Sequence, residues 1–166
     1  MTGKEKQKEV IKNYLNPTLT DYGFKTKGQT WWKDKGDFFI LINLQNFSWN
    51  NNDKVDFCFN IGIALKADIK NIDQPTVHDL TVYLREDFYL PHRFFNKFRN
   101  KTGYTITNKT NIDKFIVSFK TDFEDVIIPY LDNLDSIKDC INKFGNVKFW
   151  GDNLKKIIDE HKILIK

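Results

Sequence analysis

The chain has 166 residues, 40% of them hydrophobic and 29% charged, with a net charge of +4. That composition excludes an intrinsically disordered chain, a collagen-like fibre and a disulfide-dense miniprotein. No apolar run approaches the roughly 18 residues of a membrane-spanning helix, so no membrane association is expected.

One domain, residues 1–166, fits this length. The 15 Phe, 6 Tyr and 4 Trp predict an aromatic-rich core. Cys58 and Cys140 lie far apart on periodic apolar patterns, and no CxxC pair exists to hold zinc. Both read as reduced thiols of a cytoplasmic protein. The N-terminal MTGKEKQKEV is charged and lacks the apolar centre of a signal peptide. Residues 1–35 hold lysines 4, 6, 8, 12, 25, 27, 33 and 35 against Glu5, Glu9, Asp21 and Asp34, and that excess equals the whole net charge. It marks the solvated face of a first helix and hairpin, or a surface that attracts phosphates.

In chain order, Val10, Ile11, Tyr14, Leu15 and Leu19 form one helical stripe. Pro17 predicts a kink, and Gly23 the helix end. Phe24–Lys27 and Thr30–Lys35 predict a hairpin across Gly28-Gln29. DKGD (Asp34–Asp37) then turns the chain into a strand over Phe38–Gln45. That strand is apolar on both faces at first and polar on one from Asn43, as if covered on both sides early and on one side late. The Asn-rich stretch Asn46–Asp53 is a turn-rich connection.

Val55–Leu65 is the central strand. Val55, Phe57, Phe59, Ile61, Ile63 and Leu65 share one face, and Asp56, Cys58, Asn60, Gly62 and Ala64 the other. If Phe38–Leu44 buries the same face, Leu44 pairs with Phe57 and Asn43 with Cys58. Asn43, Gln45, Asp56 and Asn60 then gather on the opposite face.

In residues 66–103, Pro75 opens a short helix through Val77, Leu80 and Leu84, or Thr81–Leu84 is a strand. Tyr104–Thr107 and Lys114–Phe119 suggest a hairpin across Asn108–Asn111. Thr121-Asp-Phe-Glu124 has the form of a capping box, so a helix is expected from there, kinked at Pro129. Ile137, Cys140, Ile141 and Phe144 form a short helix closed by Gly145. A last helix, from about Asp152, buries Leu154, Ile157, Ile158 and Leu164, with His161 on its stripe as a packed or edge histidine. The fold class is α+β: an antiparallel meander of about five to six strands, with helices from both ends of the chain mainly on one face.

At Gly23-Phe24, Trp31-Trp32, Ile42-Asn43-Leu44-Gln45-Asn46, Ser48 and Phe57-Cys58-Phe59-Asn60-Ile61-Gly62, the chain resembles the bacterial domain of unknown function family 4304. The resemblance covers residues 5–65 and departs at Phe47, where a small or basic residue is expected. It implies fold and context but no activity.

The search for chemistry is mostly negative. Ser48, Ser118 and Ser136 sit in no nucleophile setting, and His78, His92 and His161 in no metal-ligand spacing. The eight glycines form no phosphate-binding loop. Asp132, Asp135 and Asp139 read as a solvated helix face. No catalytic residue, metal or cofactor is predicted. Two binding stretches remain. Arg93, Lys97, Arg99 and Lys101, interleaved with Phe94, Phe95, Phe98 and Tyr104, suit a nucleic acid. The amides Asn43, Gln45 and Asn60, with Trp32 and Trp49, suit a protein or small-ligand contact. The leading expectation is a non-catalytic module that binds a protein partner, immunity- or antitoxin-like. Nucleic-acid binding is the alternative, and an enzyme using the His78 or His92 region the third.

Overall fold

A computed structural model describes residues 1–90 and 97–166. The organising element is the strand β4 (Lys54–Leu65), buried at every position except Lys54. Before it run α1 (Gly3–Val10), α2 (Asn16–Asp21), β1 (Lys25–Lys27), β2 (Thr30–Asp34) and β3 (Phe38–Asn46). After it come β5 (Val82–Arg85), α3 (Glu86–Tyr89), β6 (Arg99–Asn100) and β7 (Gly103–Thr107). The chain continues through α4 (Ile112–Asp122), α5 (Ile128–Asp132), α6 (Ile137–Phe144) and α7 (Trp150–Glu160). The fold is α+β, as expected, with an antiparallel sheet ordered β1-β2-β3-β4-β7-β6 and β5 also paired to β4.

One edge of β4 pairs with β3 along its length. The other edge is divided: β7 takes Lys54–Phe57 and β5 takes Asn60–Ile63. The strand alternation sorts the side chains as the sequence requires. Phe57, Phe59, Ile61 and Ile63 join Phe38, Ile40, Ile42 and Leu44 in the main core, under the helices. Phe115, Phe119 and Phe123 stack there on Phe59 and Tyr104, with centroids 4.9 Å apart for Phe59–Phe123 and 5.0 Å for Tyr104–Phe119. Edge-to-face contacts of this kind add to what area burial contributes.

The helices cover the inner face. The opposite, outer face carries a small second core of Trp32, Phe39, Ala64 and Ile69 at one end and polar residues at the other. β3 is therefore covered on both sides early and on one side late, as its composition predicts. Glycines take left-handed backbone at the expected helix end and turns, Gly23 (φ 88°), Gly28 (φ 60°) and Gly36 (φ 87°). Phe24 N–H donates to Leu19 O and Gly23 N–H to Thr20 O, which satisfies the last carbonyls of the first helix.

Several expectations need correction. The β3–β4 register is displaced by two residues: Leu44 faces Phe59 and Asn43 faces Asn60. A shift of two preserves the faces, so the polar grouping survives. The reason lies in the connection, where Asn51 N–H bonds Lys54 O and Asn51 Oδ1 accepts the Asp53 and Lys54 N–H groups. Pro17 and Pro129 do not break their helices. Each is preceded by a widened π-type turn, Ile11–Leu15 and Phe123–Ile127, which accommodates the missing N–H.

The segment after Pro75 resolves into both readings in turn, a short 3-10 turn at Val77–Asp79 and then β5. Lys114–Phe119 is helix, not strand, and begins at an Asn111 cap that accepts Lys114 N–H. Thr121 is inside that helix, its hydroxyl donating back to Val117 O, so it does not begin a helix. The last helix ends at Glu160, and Leu164 lies beyond it, 72% exposed. No described helix is long and apolar enough to cross a membrane.

Candidate functional site

On the outer face a row of polar residues crosses four strands, with Thr30 opposite Asn43, Asn43 opposite Asn60, and Asn60 opposite Arg85. Their amide orientations form a chain of constraint. Asn43 Nδ2 donates to Thr30 Oγ1 at 3.0 Å and to the Gln29 carbonyl at 3.4 Å. A carbonyl only accepts, so Asn43 Oδ1 must face the other way, toward Asn60. Asn60 Nδ2 then donates to Asn43 Oδ1 at 3.2 Å and Gln45 Oε1 at 3.0 Å. The Cys58 thiol lies 4.0 Å from the same Gln45 oxygen, and burial pushes that thiol up to about 11. Asn60 is 1% exposed, and its Oδ1 is buried with no partner among the described residues.

Beside this row sits Asp56, buried among donors. Trp49 Nε1 donates to it at 2.9 Å, Thr105 Oγ1 at 2.5 Å and Asn100 Nδ2 at 3.4 Å, while Lys54 Nζ stands at 3.7 Å. Burial raises its carboxyl, but the hydrogen bonds and Lys54 outweigh that and leave it below the ordinary carboxylate range. The Asn-rich loop builds this arrangement. The Asn50 amide accepts Asp56 N–H and donates to Asp56 O, tying the loop to β4 by its backbone. Trp49 is thereby fixed by its N–H yet remains 59% exposed. Its ring stacks on Phe47 at 4.5 Å and 3° between planes, and the Arg85 guanidinium lies 5.6 Å from the Phe47 centroid. Guanidinium, phenyl and indole thus run along the outer face.

Of the five residues predicted for this site, four come together: Asn43, Gln45 and Asn60 directly, with Trp49 beside them through the loop. Trp32 does not join them. It is 7% exposed in the small second core, and lines an open groove of about 440 Å³ with Lys25, Lys33 and Lys66. Sequence reading missed Arg85 and Phe47. Arg85 lies in the ambiguous middle stretch, and Phe47 stood out only as a departure from a family pattern.

Glu86 is a further buried polar group. The two partners of β4 leave a gap at Phe59, and the Glu86 carboxylate accepts Phe59 N–H there at 2.9 Å. Burial pushes that carboxyl up, against the lowering effect of the bond and of Arg99 and Arg85.

The basic stretch is arranged less favourably. Arg93, Phe94, Phe95 and His92 lie outside the described residues. Arg99 pairs with Asp87 and covers the Tyr104 ring at 5.3 Å, with its Nη1 buried and without a partner among the described residues. Lys97 lies over Phe98 at 5.0 Å, and Lys101 is exposed. The N-terminal lysine excess is partly engaged: Lys33 pairs with Asp132 at 3.0 Å, Lys35 with Asp135 at 2.7 Å, and Lys6 binds the carbonyls of Asn108 and Thr110. Asp132 and Asp135 are therefore ion-pair partners of the hairpin, not simply a solvated face. His161 stands exposed at the end of the last helix and meets Asp68 at 3.0 Å, an edge histidine and not a packed one. His78 is exposed. Among the described residues no His/Cys/Asp/Glu group is placed to hold a metal ion.

An α+β sheet with one helix-covered face and one amide-rich face carries no recognisable catalytic constellation among the described residues. The chain belongs to the family described as a domain of unknown function, DUF4304, whose profile matches residues 15–133. That span includes β1 to β7 and the whole amide row. No curated protein and no solved structure shows significant similarity to the chain.

Proposed function

We propose that this protein is a non-catalytic binding module that docks a protein partner on the outer face of its sheet, in the manner of an immunity protein or antitoxin. The observation that carries the reading is Trp49, more than half exposed yet held by its indole N–H on the buried Asp56. An ordered, exposed tryptophan beside amides and an arginine is the composition of an interface hot spot. Such a ring loses little freedom on binding, because the protein has already fixed it.

The test is affinity capture from the native host with the wild type and the Asn43→Ala, Gln45→Ala, Trp49→Ala triple variant. A stoichiometric protein captured by the first and lost by the second, with the variant melting lower but still folded at the temperature of capture, supports the reading. Equal capture by both removes it, and loss of folding assigns the three residues to structure. The nucleic-acid alternative retains Lys97 and Lys101 as exposed cations. It predicts binding that falls steeply with salt, and a flat salt response sinks it.

A further inference from the structure

Three groups on the outer face are left with unmet bonding capacity. Asn60 Oδ1 is a buried acceptor with no donor among the described residues. Gln45 uses its oxygen for Asn60 and Cys58, while its Nε2 has no partner among the described residues. Arg85 is exposed and has no carboxylate partner among the described residues. The acids nearest to it are engaged: Glu86 with Phe59 N–H, Asp87 with Arg99, and Asp56 with Trp49, Thr105 and Asn100.

The register places these groups within reach of one another. Arg85 is the cross-strand neighbour of Asn60, and Phe47, one residue past the end of β3, follows Asn43 and Gln45 in the alternation and donates its N–H to Asp56 O. To bring its guanidinium over Phe47, the Arg85 arm must pass the Gln45–Cys58 pair. The arm therefore lies alongside an unpaired acceptor and an unpaired donor. An exposed cation–π contact is worth only about 0.5–1 kcal/mol, so the arm lifts easily.

We propose that this cluster is the seat of an extended acidic segment of a protein partner: a peptide N–H of the segment meets Asn60 Oδ1, its C=O accepts from Gln45 Nε2, and a neighbouring carboxylate pairs with Arg85. The inference rests on the binding-module reading and names its ligand chemistry. Charge complementarity selects the occupant, because among the described residues the unpaired charge at the cluster is the Arg85 cation, while Glu86, Asp87 and Asp56 each already have a donor. A nucleic-acid strand also offers N–H and C=O edges, but it requires a run of cations along its backbone. Among the described residues a single arginine, Arg85, stands unpaired beside the amides. Trp49 and Phe47 supply the apolar wall for the segment's aliphatic stems.

The test uses the full chain labelled with nitrogen-15, following the side-chain amide signals of Gln45 and Asn60, the backbone amide of Arg85 and the Trp49 indole. The probes are a blocked tripeptide of glutamate, sodium acetate and an oligothymidylate. The tripeptide is expected to move all four signals at millimolar concentration, and acetate only that of Arg85. Arg85→Gln, at an exposed position, should keep the melting temperature and weaken tripeptide binding about tenfold, the worth of one charge-assisted hydrogen bond. The proposal is overturned if the tripeptide moves none of the amide signals, if oligothymidylate moves them in its place, or if Arg85→Gln binds as well as the wild type. Host-partner capture that survives Arg85→Gln but fails in the triple variant overturns this proposal and leaves the binding-module reading standing. Capture that survives both variants removes both.

Discussion

Replacing Glu86 separates two opposing effects at the point where β4 changes partner. The Glu86 carboxylate satisfies Phe59 N–H, the group left over between the β7 and β5 pairings. Glu86→Ala leaves that buried N–H unmet, at a cost of about 1–3 kcal/mol. It also removes a buried carboxylate, which offsets part of the loss. The net expectation is about 2 kcal/mol of destabilisation, or a fall of roughly 4–8 °C in Tm for a chain of this size. Glu86→Gln keeps an accepting oxygen and removes the charge, so it should melt near the wild type. Burial holds the Glu86 carboxyl above its ordinary value. The native state then binds the proton more tightly than the unfolded chain, so its contribution is present at low pH and lost as pH rises through the folded value. The Glu86→Gln variant should therefore gain on the wild type as pH rises above the ordinary glutamate value of about 4.3. Thermal melts of all three proteins at a series of pH values between about 4 and 7 measure both effects. If Glu86→Ala melts with the wild type throughout, the carboxylate does not close the gap in β4 and the reasoning fails.

Other perturbations have equally definite outcomes. Gly62→Ala would place a Cβ 1.8 Å from Val82 O; it should cost about 3 kcal/mol or more in denaturant melts by forcing β5 off β4, and a neutral result would refute that close approach. Trp49→Phe removes one donor from Asp56 and should cost about 1 kcal/mol at neutral pH. The Asp56 carboxyl is held low, so the deficit should shrink as pH falls through its folded value; a deficit unchanged in acid would mean the bond contributes nothing. Cys58 and Cys140 are buried, with thiols raised to about 11 and about 12. Both should resist a thiol reagent at pH 8 until the protein is unfolded, and rapid native labelling of either would contradict its burial.

What was legible in the sequence follows from which physical constraint governs each element. The faces of β3 and β4 were legible because alternation admits only one burial choice once a face is apolar. The two-residue displacement was not, because it depends on how Asn50 and Asn51 fold the connection back on Asp56 and Lys54. Phe115, Val117 and Phe119 show why α4 was misread as strand. Their spacing fits a strand face, and Phe115 and Phe119 alone fit a helix face equally well. The structure decides by leaving Val117 68% exposed while Phe115 and Phe119 are 1% exposed. Thr121 and Glu124 match a capping box in type and spacing, but such a box acts only where no upstream turn supplies the carbonyls. Here the helix already runs from Ile112, and Glu124 accepts from Tyr14 OH at 2.9 Å instead.

The amide row was legible for a different reason, and that reason bears on its role. A strand with one apolar face needs its other face either wet or apolar. Asn60 is neither, since it is an amide 1% exposed in a strand whose neighbours on that face include Gly62 and Ala64. Its Nδ2 is fully accounted for by Asn43 and Gln45. Its oxygen is not, and a buried acceptor left unmet costs about 1–3 kcal/mol. A valine there would remove that cost but would leave Asn43 Oδ1 and Gln45 Oε1 without the donor that Asn60 gives them. In the proposed complex a donor arriving from outside meets that oxygen, and Gln45 Nε2, without a partner among the described residues, and the Arg85 arm beside it set what else that donor's chain would carry: a carbonyl next to it and a negative charge within a side chain's reach.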